Sequence, residues 1–409
     1  MPVVKFYGIN ENERILDIVK NLFQKMGYRI HSHEHMDWDI LWSHTYPFYT
    51  LAKEMVLLKP NQKVNHFPGS GFITQKSNLA TLSINHIPKS FALPQDKKTF
   101  LEYVEKNPIK FWILKSSTHR GMKLMNGTED LDSPGSYVQE FIKKPLLING
   151  KKFDVGVYVI LTSIDPLRVY MYSGDILLRF CKEKYFPLNI NLPESYIVGD
   201  DYLPVWEVPD LKFYYSELNY TAKESLNQYL ESKGKSTKRI WYQINETIKD
   251  VYLQTESDLK KSTMSLGSLR NFFELVRFDF IIDEDLNVFL LEHVFLDGSG
   301  SLIAGRGEAE VSEKDIQVFA EQCASETCQL SCKKLKCRIC NHCMNKEMRE
   351  ISKQAYLEFL NRGKYRRILP SPNMLPTHYY VKDKESSYMN EFMDLWFKGK
   401  CHQDPSWCY

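Results

Sequence analysis

The fold of this chain is decided by the stretch Phe278-Asp-Phe-Ile-Ile-Asp-Glu-Asp-Leu-Asn-Val-Phe-Leu-Leu-Glu-His-Val294. Two runs rich in aromatic and β-branched residues flank the polar residues 283–287, a pattern that predicts a β-hairpin. If the turn is centred between Asp285 and Leu286, Asp279 lies directly opposite Glu292. Like charges that face each other in a sheet repel. The pair therefore predicts a bound cation, and oxygen-only ligands favour Mg²⁺ held together with nucleotide phosphates.

A different register of the same hairpin gives a different result. A shift of one residue would send one of the two carboxylates to the solvent and leave an ordinary acidic hairpin. The residues of the hairpin alone leave both registers open.

The composition is that of a globular chain with little overall charge. The chain has 409 residues, of which 43% are hydrophobic, and a formal net charge of +2. A chain of this length can bury more than one core, so we expect two or three domains. The small net charge excludes the overall positive field of a nucleic-acid binder. No apolar run reaches the roughly 18 residues of a membrane span, so we expect a soluble protein.

The cysteines form a separate group near the C-terminus. Eight of the nine lie beyond residue 320, and three of these fall in Cys337-Arg-Ile-Cys-Asn-His-Cys343. In a reducing compartment such a group would bind Zn²⁺. In an oxidising compartment the same even number of cysteines would form disulfides. The spacing leaves both alternatives open.

The first thirty residues predict a small α/β domain. Residues 3–8 are typical of a strand, apolar residues recur at helical spacing over 15–26, and a second strand follows at 28–30. This β-α-β order is the basis for an α/β domain. Farther on, 240–263 has the pattern of a long helix.

Basic residues then stand at the ends of predicted elements. Lys76 lies at the entry to a helix, and Lys115 ends a strand of buried type. The small-residue loop 116–121 could cover phosphates or be an ordinary surface loop. The strand Tyr137–Ile142 could give a backbone edge and an apolar wall to an adenine ring.

A long hairpin follows, with one polar face. It comprises 151–161 and 167–172, and Lys152 and Asp154 alternate with apolar neighbours. Arg179 lies on the next predicted strand. A charged face in the middle of a sheet needs a partner such as a nucleotide, unless the face is simply solvated.

Taken together, these segments resemble the tubulin tyrosine ligase-like family, an ATP-grasp group. The resemblance runs from about Trp38 to Leu302. Its most specific parts are Asn65-His-Phe-Pro-Gly69, Gln139-Glu-Phe-Ile-Lys-Lys-Pro-Leu-Leu-Ile-Asn-Gly-Lys-Lys-Phe-Asp154, and Phe273-Glu-Leu-Val-Arg-Phe-Asp279 with Leu290-Leu-Glu292.

The resemblance implies a mixed α/β (α+β) ATP-grasp fold in four parts. An N-terminal α/β domain would span 1–88 and a central ATP-grasp domain 89–185. The C-terminal ATP-grasp domain, which carries the metal hairpin, would span 186–306. Residues 307–409 form a Cys-rich extension outside the resemblance.

The resemblance also implies an enzyme that uses ATP and Mg²⁺ to activate a carboxylate as an acyl phosphate and then joins it to an amine. Members of the family add tyrosine, glutamate or glycine to tubulin tails and other proteins. We therefore expect a monomeric polyglutamylase that uses glutamate, with tubulin or another protein as acceptor. The expected location is cytoplasmic and microtubule-associated, or luminal or secretory if the tail cysteines form disulfides.

Carried over by position, the family's site residues fall into three groups. Arg179 would steady the transferred phosphoryl group, and Lys76 would contact phosphate or substrate. The metal ligands would be Asp279 and Glu292. The residues implied to bind the nucleotide are Lys115, Arg120, Gln139, Glu140, Phe141, Ile142, Lys152 and Asp154.

Three departures from the family pattern bear on catalysis. Gly156 stands where the family's Lys-Phe-Asp-x-Arg motif has Arg, and Val294 stands where its Glu-x-Asn motif has a metal-binding Asn. The family's His-Leu-Thr-Asn segment has no clear match between 185 and 225. Asp297 or His293 could replace the lost ligand. Otherwise the chain is a catalytically impaired protein-binding module.

Overall fold

The computed structural model describes the chain except for residues 9–13, 32–36, 109, 117–121, 126–130, 267–268, 297–310, 319 and 373–386. Arg120 and Asp297 therefore lie outside the described residues, as does most of the loop 116–121.

The N-terminal part is a parallel sheet of four strands, β1 (Val3–Tyr7), β2 (Arg29–His31), β3 (Ile40–Ser43) and β4 (Lys63–Val64). The predicted β-α-β unit at its start is confirmed. Helix α1 (Asp17–Lys25) buries Val19 and Phe23, as its apolar spacing predicts. Further along are the short helices α2 (Pro47–Thr50), α3 (Ala52–Val56), α4 (Gly71–Thr74) and α5 (Lys76–Ala80).

The next part is a small antiparallel sheet beside helix α6 (Lys97–Lys106). Its strands are β5 (Ser90–Ala92), β6 (Trp112–Ser116), β7 (Lys123–Leu124) and β8 (Ser136–Glu140). Lys115 and Tyr137 face each other across β6 and β8. The strand pair therefore brings one of the predicted phosphate lysines next to the predicted adenine segment.

A seven-stranded sheet forms the largest layer. The pairing of 151–164 with 167–172 and of 274–282 with 288–295 confirms the two predicted hairpins. The strands are β9 (Leu147–Ile148), β10 (Lys151–Ile164), β11 (Leu167–Tyr172), β12 (Leu177–Phe180), β13 (Glu274–Ile282), β14 (Val288–Phe295) and β15 (Tyr365–Leu369). The predicted domain limits at 185 and 306 divide this sheet, because β13 and β14 lie beyond the first limit and β15 beyond the second.

Helices cover one face of the large sheet and leave the other to a cleft. The long helix Lys238–Met264 follows two shorter helices and confirms the helix predicted over 240–263. Ile240, Ile244 and Ile248 recur every fourth residue on its buried face, and Phe278 and Phe280 belong to the same core. The bounds of these helices are α7 Pro209–Lys212, α8 Ala222–Ser232 and α9 Lys238–Met264.

Side chains of β13 alternate between these two faces. Phe278 and Phe280 are fully buried in the core that contains α9, so Arg277 and Asp279 point to the cleft. The helix thus determines which residues of the strand are available for chemistry.

The predicted pairing of Asp279 with Glu292 is confirmed, although the turn differs from the prediction. Near the turn, Phe280 pairs with Leu290, and continuation of that register would bring Leu291 opposite Asp279. A register shift at this point accommodates one extra residue, so that Glu292 faces Asp279 instead. Such β-bulges are common next to active sites, where they re-aim a side chain.

The C-terminal extension is tied to the large sheet. Its strand β15 pairs with β11, and Glu358 binds Arg168 with Oε2 to Nε at 2.9 Å and Oε1 to Nη2 at 3.0 Å. Arg168 is fully buried. The extension therefore completes the core of the fold. Its helices are α10 (Glu313–Ile316), α11 (Glu326–Leu330), α12 (Lys346–Asn361) and α13 (Ser387–Gln403).

The cysteines of the extension form disulfides. The pairs are Cys323–Cys340, Cys328–Cys337, Cys332–Cys343 and Cys401–Cys408. Cys332, His342 and Cys343 lie close enough to hold a metal ion, but both thiols are used in one disulfide. The structure thus favours disulfides over the Zn²⁺ alternative. Cys181 is free and buried.

Candidate active site

A cleft of about 700 Å³ lies between the small antiparallel sheet and the open face of the large sheet. Eleven of the twelve residues predicted for the site line it, and Arg120 is outside the described residues. The structure brings these residues together in one cleft, and their individual roles are predictions. The eleven are Lys76, Lys115, Gln139, Glu140, Phe141, Ile142, Lys152, Asp154, Arg179, Asp279 and Glu292. A larger cavity of about 840 Å³ in the C-terminal extension contains none of them.

The floor of the cleft is a row of side chains across four neighbouring strands. Arg179 on β12 faces Asp154 on β10, and Asp279 on β13 lies between Gly156 on β10 and Glu292 on β14. Residues that pair directly across strands project to the same face of the sheet. Sheet pairing therefore collects groups that are far apart in sequence.

Asp279 is held by two arginines. Its Oδ1 accepts a hydrogen bond of 2.6 Å from Arg277 Nε, and its Oδ2 accepts bonds of 2.9 Å from Arg277 Nη2 and 2.8 Å from Arg179 Nη2. Its side chain is only 2% exposed. The like-charge repulsion that the sequence predicts between Asp279 and Glu292 is thus relieved by guanidinium groups in this structure.

The other carboxylates of the floor are also paired. Asp154 receives two hydrogen bonds of 2.9 Å from Arg179. Burial raises the pKa of Asp154 to about 6, and the charge of Arg179 opposes this shift. Lys76 Nζ lies 2.5 Å from Glu292 Oε1. Lys76 and Glu292 thus form a direct pair on the rim of the cleft.

Two buried lysines in the cleft lack a carboxylate partner among the described residues. Lys115 donates to Gln139 Oε1 at 2.7 Å, and Lys152 donates to the backbone oxygen of Tyr196 at 2.6 Å. Both lysines are 8% exposed. Burial lowers the pKa of Lys115 to about 8, and it also lowers the pKa of Lys152. Buried charges that have only neutral acceptors are costly unless a ligand supplies an anion.

The segment predicted to frame an adenine ring retains its apolar wall. Phe141 packs edge-on against Tyr196, and the Lys152 ammonium lies 5.3 Å from the centre of the Phe141 ring. The backbone N–H groups of Glu140 and Phe141 already donate to Lys89 and Phe111. Any hydrogen bond from this edge to a base would therefore use other groups, including carbonyl oxygens.

The polar face of β10 is therefore not a solvated outer face. Lys152 and Asp154 are 8% and 7% exposed. Both line the enclosed cleft, which removes the alternative left open by the sequence.

The prediction missed Arg277, which also lines the cleft. Its position two residues before Asp279 on a strand was the available signal, because residues at this spacing share a face. Tyr196 and the segment 197–200 also contribute to the lining, and no motif in the sequence marks them.

His293 and Asp297 are the two residues predicted as possible replacements for the lost metal ligand. His293 pairs with Phe278 on the core face of the hairpin, and neither of its ring nitrogens has a partner among the described residues. Burial lowers its pKa to about 3. His293 does not line the cleft, so its assignment as a replacement ligand is wrong. Asp297 is outside the described residues, and Val294 does face the cleft.

The donor atoms near Asp279 and Glu292 fit Mg²⁺. An ionised carboxylate has about four lone-pair positions, and the three hydrogen bonds to Asp279 leave one on Oδ1. Glu292 Oε2 is a second oxygen donor on the same face. Mg²⁺ is commonly held by one or two carboxylates together with the phosphates of a substrate. These two residues would therefore hold the ion when a nucleotide is bound.

The fold and the cleft define the general class. A mixed α/β protein with two facing antiparallel sheets, and a charged cleft between them, has the organisation of an ATP-grasp-like protein. None of the helices in the described part of the chain is long and apolar enough to cross a bilayer.

Comparison with known proteins gives the family. A family model described as "Tubulin-tyrosine ligase family" matches residues 54–293. A probable tubulin polyglutamylase, ttll-15, of Caenorhabditis elegans is 36% identical over 95% of this chain and 83% of its own length. The chain belongs to the tubulin-tyrosine ligase family.

Two further relatives are much longer than this chain. The tubulin monoglutamylase TTLL4 of Homo sapiens is 30% identical over 68% of the chain. A probable beta-tubulin polyglutamylase of Tetrahymena thermophila is 30% identical over 71%. The alignments cover 24% and 25% of these two proteins. The chain thus spans about a quarter of their length.

Proposed function

We propose that the protein is an ATP- and Mg²⁺-dependent ligase that attaches glutamate to a carboxylate of an acceptor protein. The observation that carries this proposal is the pair of buried lysines, Lys115 and Lys152, which face the cleft and donate to neutral acceptors among the described residues. A ligand such as a nucleotide phosphate would give both lysines an anionic partner. The family relationship and the similarity to a polyglutamylase and a monoglutamylase support glutamate as the amino acid.

The reaction has two steps. A carboxylate oxygen of the acceptor attacks the terminal phosphorus of ATP, the bond to the bridging oxygen breaks, and ADP leaves. The amino group of glutamate then attacks the acyl carbon, loses a proton, and releases inorganic phosphate. Mg²⁺ would neutralise phosphate charge in the first step.

The chain's own residues serve these steps through charge and position. Lys115 and Lys152 would bind phosphate oxygens, and Arg179 would stabilise the phosphoryl group in transfer. Asp154 keeps Arg179 oriented through two parallel hydrogen bonds. Preorganised cations of this kind stabilise the charge that develops in the transition state.

The cellular compartment of the protein determines which acceptor proteins it can reach. Disulfides persist in oxidising environments and are rare in the cytosol, and the extension holds four of them. We therefore favour the luminal or secretory alternative over the cytoplasmic, microtubule-associated one. The acceptor would then be a protein of that compartment, whereas a cytoplasmic enzyme would have access to tubulin.

The compartment is tested by thiol alkylation of the protein from its native cells, followed by peptide mass spectrometry. We expect eight cysteines to resist alkylation without a reductant and Cys181 alone to react after denaturation. Alkylation of all nine without a reductant would refute the oxidising compartment and leave tubulin as the favoured acceptor.

A second candidate is a nucleotide-binding protein without ligase activity. Its support is Val294, which lines the cleft opposite Arg277 and offers no donor atom to a metal. This candidate predicts ATP binding that responds weakly to Mg²⁺ and no product.

The two candidates are separated by calorimetry and by glutamate transfer. ATP titrations with and without Mg²⁺ are compared with the incorporation of labelled glutamate into tubulin and into secretory-pathway proteins. Glu292→Gln is the matched control, since it keeps the shape and removes the charge. Incorporation that disappears in Glu292→Gln supports the ligase. ATP binding with equal background in both folded proteins supports the second candidate.

A further inference from the structure

Arg277 occupies space that exists only because residue 156 is glycine. A Cβ atom at Gly156 would lie 2.7 Å from Arg277 Cδ and 3.1 Å from Arg277 Nε. The two residues lie on neighbouring strands, where Gly156 pairs with Asp279 and Tyr158 pairs with Arg277. The absent side chain on β10 is thus matched by a large basic side chain from β13.

Val294, the second residue that departs from the family pattern, is also a neighbour of Arg277. Val294 faces Arg277 directly across β13 and β14. Both substituted positions are therefore neighbours of Arg277 on the adjacent strands. The two departures, which look independent in the sequence, form one local rearrangement of the cleft floor.

We propose that Arg277 supplies, from the adjacent strand, the fixed positive charge that the family motif places at position 156. The proposal rests on the proposed function, because it assigns Arg277 to the phosphoryl group of the nucleotide or acyl phosphate. Arg277 lines the cleft, and its side chain is 14% exposed. The group is accessible to a ligand yet largely withdrawn from water.

The hydrogen bonds of Arg277 leave donors for a ligand. Its Nε and Nη2 bind the two oxygens of Asp279 in parallel, and Nη1 makes no hydrogen bond to the described residues. A guanidinium has five N–H donors in a fixed plane. Asp279 therefore fixes the plane and leaves Nη1 for an anion, as preorganised stabilisation of a developing charge requires.

The test is a reciprocal exchange of the two residues. Arg277→Gly, Gly156→Arg and the double variant Gly156→Arg/Arg277→Gly are compared with the unaltered protein in glutamate incorporation and in the ratio of ATP to AMP affinity. We expect Arg277→Gly to lower the incorporation rate roughly 100-fold and to reduce the affinity ratio. The double variant should recover most of both losses, because an arginine at 156 then has the space that Arg277 vacates.

Two single variants distinguish charge from structure. Gly156→Arg alone should be impaired, since its side chain collides with Arg277. Arg277→Lys should retain part of the affinity ratio, because it keeps the charge but loses the parallel hydrogen bonds. Thermal unfolding of each variant checks that the fold persists.

The outcomes separate this proposal from the proposed function. Full activity and an unchanged affinity ratio in Arg277→Gly, with active unaltered protein, would overturn the role of Arg277 and leave the ligase standing. A loss of stability with no change in the affinity ratio would show that Arg277 only supports Asp279. Unaltered protein that binds no ATP would overturn the proposed function and this proposal with it.

Discussion

Replacement of Lys115 by methionine should stabilise the protein without ligand and weaken its binding of ATP. The ammonium is buried, and its hydrogen-bond partner in the described part of the chain is neutral, Gln139 Oε1 at 2.7 Å. Methionine has a similar length and carries no charge. A residue kept for ligand binding at a cost to stability should show this combination.

The size of the effect follows from the pKa of Lys115. Burial lowers it from its ordinary 10.5 to about 8, which corresponds to about 3 kcal/mol of unfavourable burial for the charged form. Loss of the hydrogen bond to Gln139 destabilises the variant by about 1 kcal/mol or more and offsets part of this gain. The net gain in the free energy of unfolding of Lys115→Met at pH 7 is therefore about 1 to 2 kcal/mol.

The pH dependence has a definite sign. The folded pKa of Lys115 is below its unfolded value, so the cost to the unaltered protein is fully present below pH 8. It disappears as the pH rises toward 10.5, where the unfolded chain also loses the proton. The stability advantage of Lys115→Met should therefore shrink between pH 7 and pH 10.

The assay is urea unfolding of the unaltered protein and Lys115→Met at both pH values, combined with ATP calorimetry at pH 7. Lys76→Met is the matched control, because Lys76 is paired with Glu292 and its loss leaves a carboxylate without a partner. We expect Lys76→Met to destabilise the protein. The reasoning is refuted if Lys115→Met destabilises it as much as Lys76→Met does, or if ATP affinity is unchanged.

Three further predictions concern Lys115, the buried pair of Arg168 with Glu358, and the disulfides. ATP affinity should fall by up to tenfold per pH unit above pH 8, as Lys115 loses its proton, and calorimetry from pH 7 to 9 should show that Lys115→Met lacks most of this dependence. Glu358→Gln should lower the free energy of unfolding by about 3 kcal/mol, since it leaves Arg168 buried without its carboxylate, whereas Glu313→Gln at an exposed pair should cost less than about 1 kcal/mol in the same urea titration. Reduction of the disulfides should destabilise the extension by about 2 kcal/mol or more per bond, measured by thermal unfolding with and without reductant; an unchanged transition would contradict the disulfides.

Some of the site could be predicted because it depends on local periodicity. Alternation along a strand places Lys152 with Asp154, and a hairpin brings Asp279 to Glu292. The resemblance to a known family then put separate weak segments into one site. The structure brings eleven of those residues to the same cleft.

The turn of the hairpin shows the limit of such arithmetic. The sequence-based turn centre differs from that of the structure, and the pairing of Asp279 with Glu292 is reached through the extra residue near Leu291. A bulge depends on how both strands pack against their neighbours, so the spacing of residues in one hairpin does not reveal it.

The sequence by itself indicated the strands of the two hairpins and the long helix, because their patterns repeat over a few residues, and the family resemblance supplied most of the residues of the cleft. Tertiary structure decided which residues from distant parts of the chain contact each other. It set Arg277 over Gly156, directed His293 into the core, joined β15 to the large sheet and paired the cysteines of the extension. Each of these contacts joins residues whose proximity depends on which strands are neighbours, and that depends on packing of the whole chain.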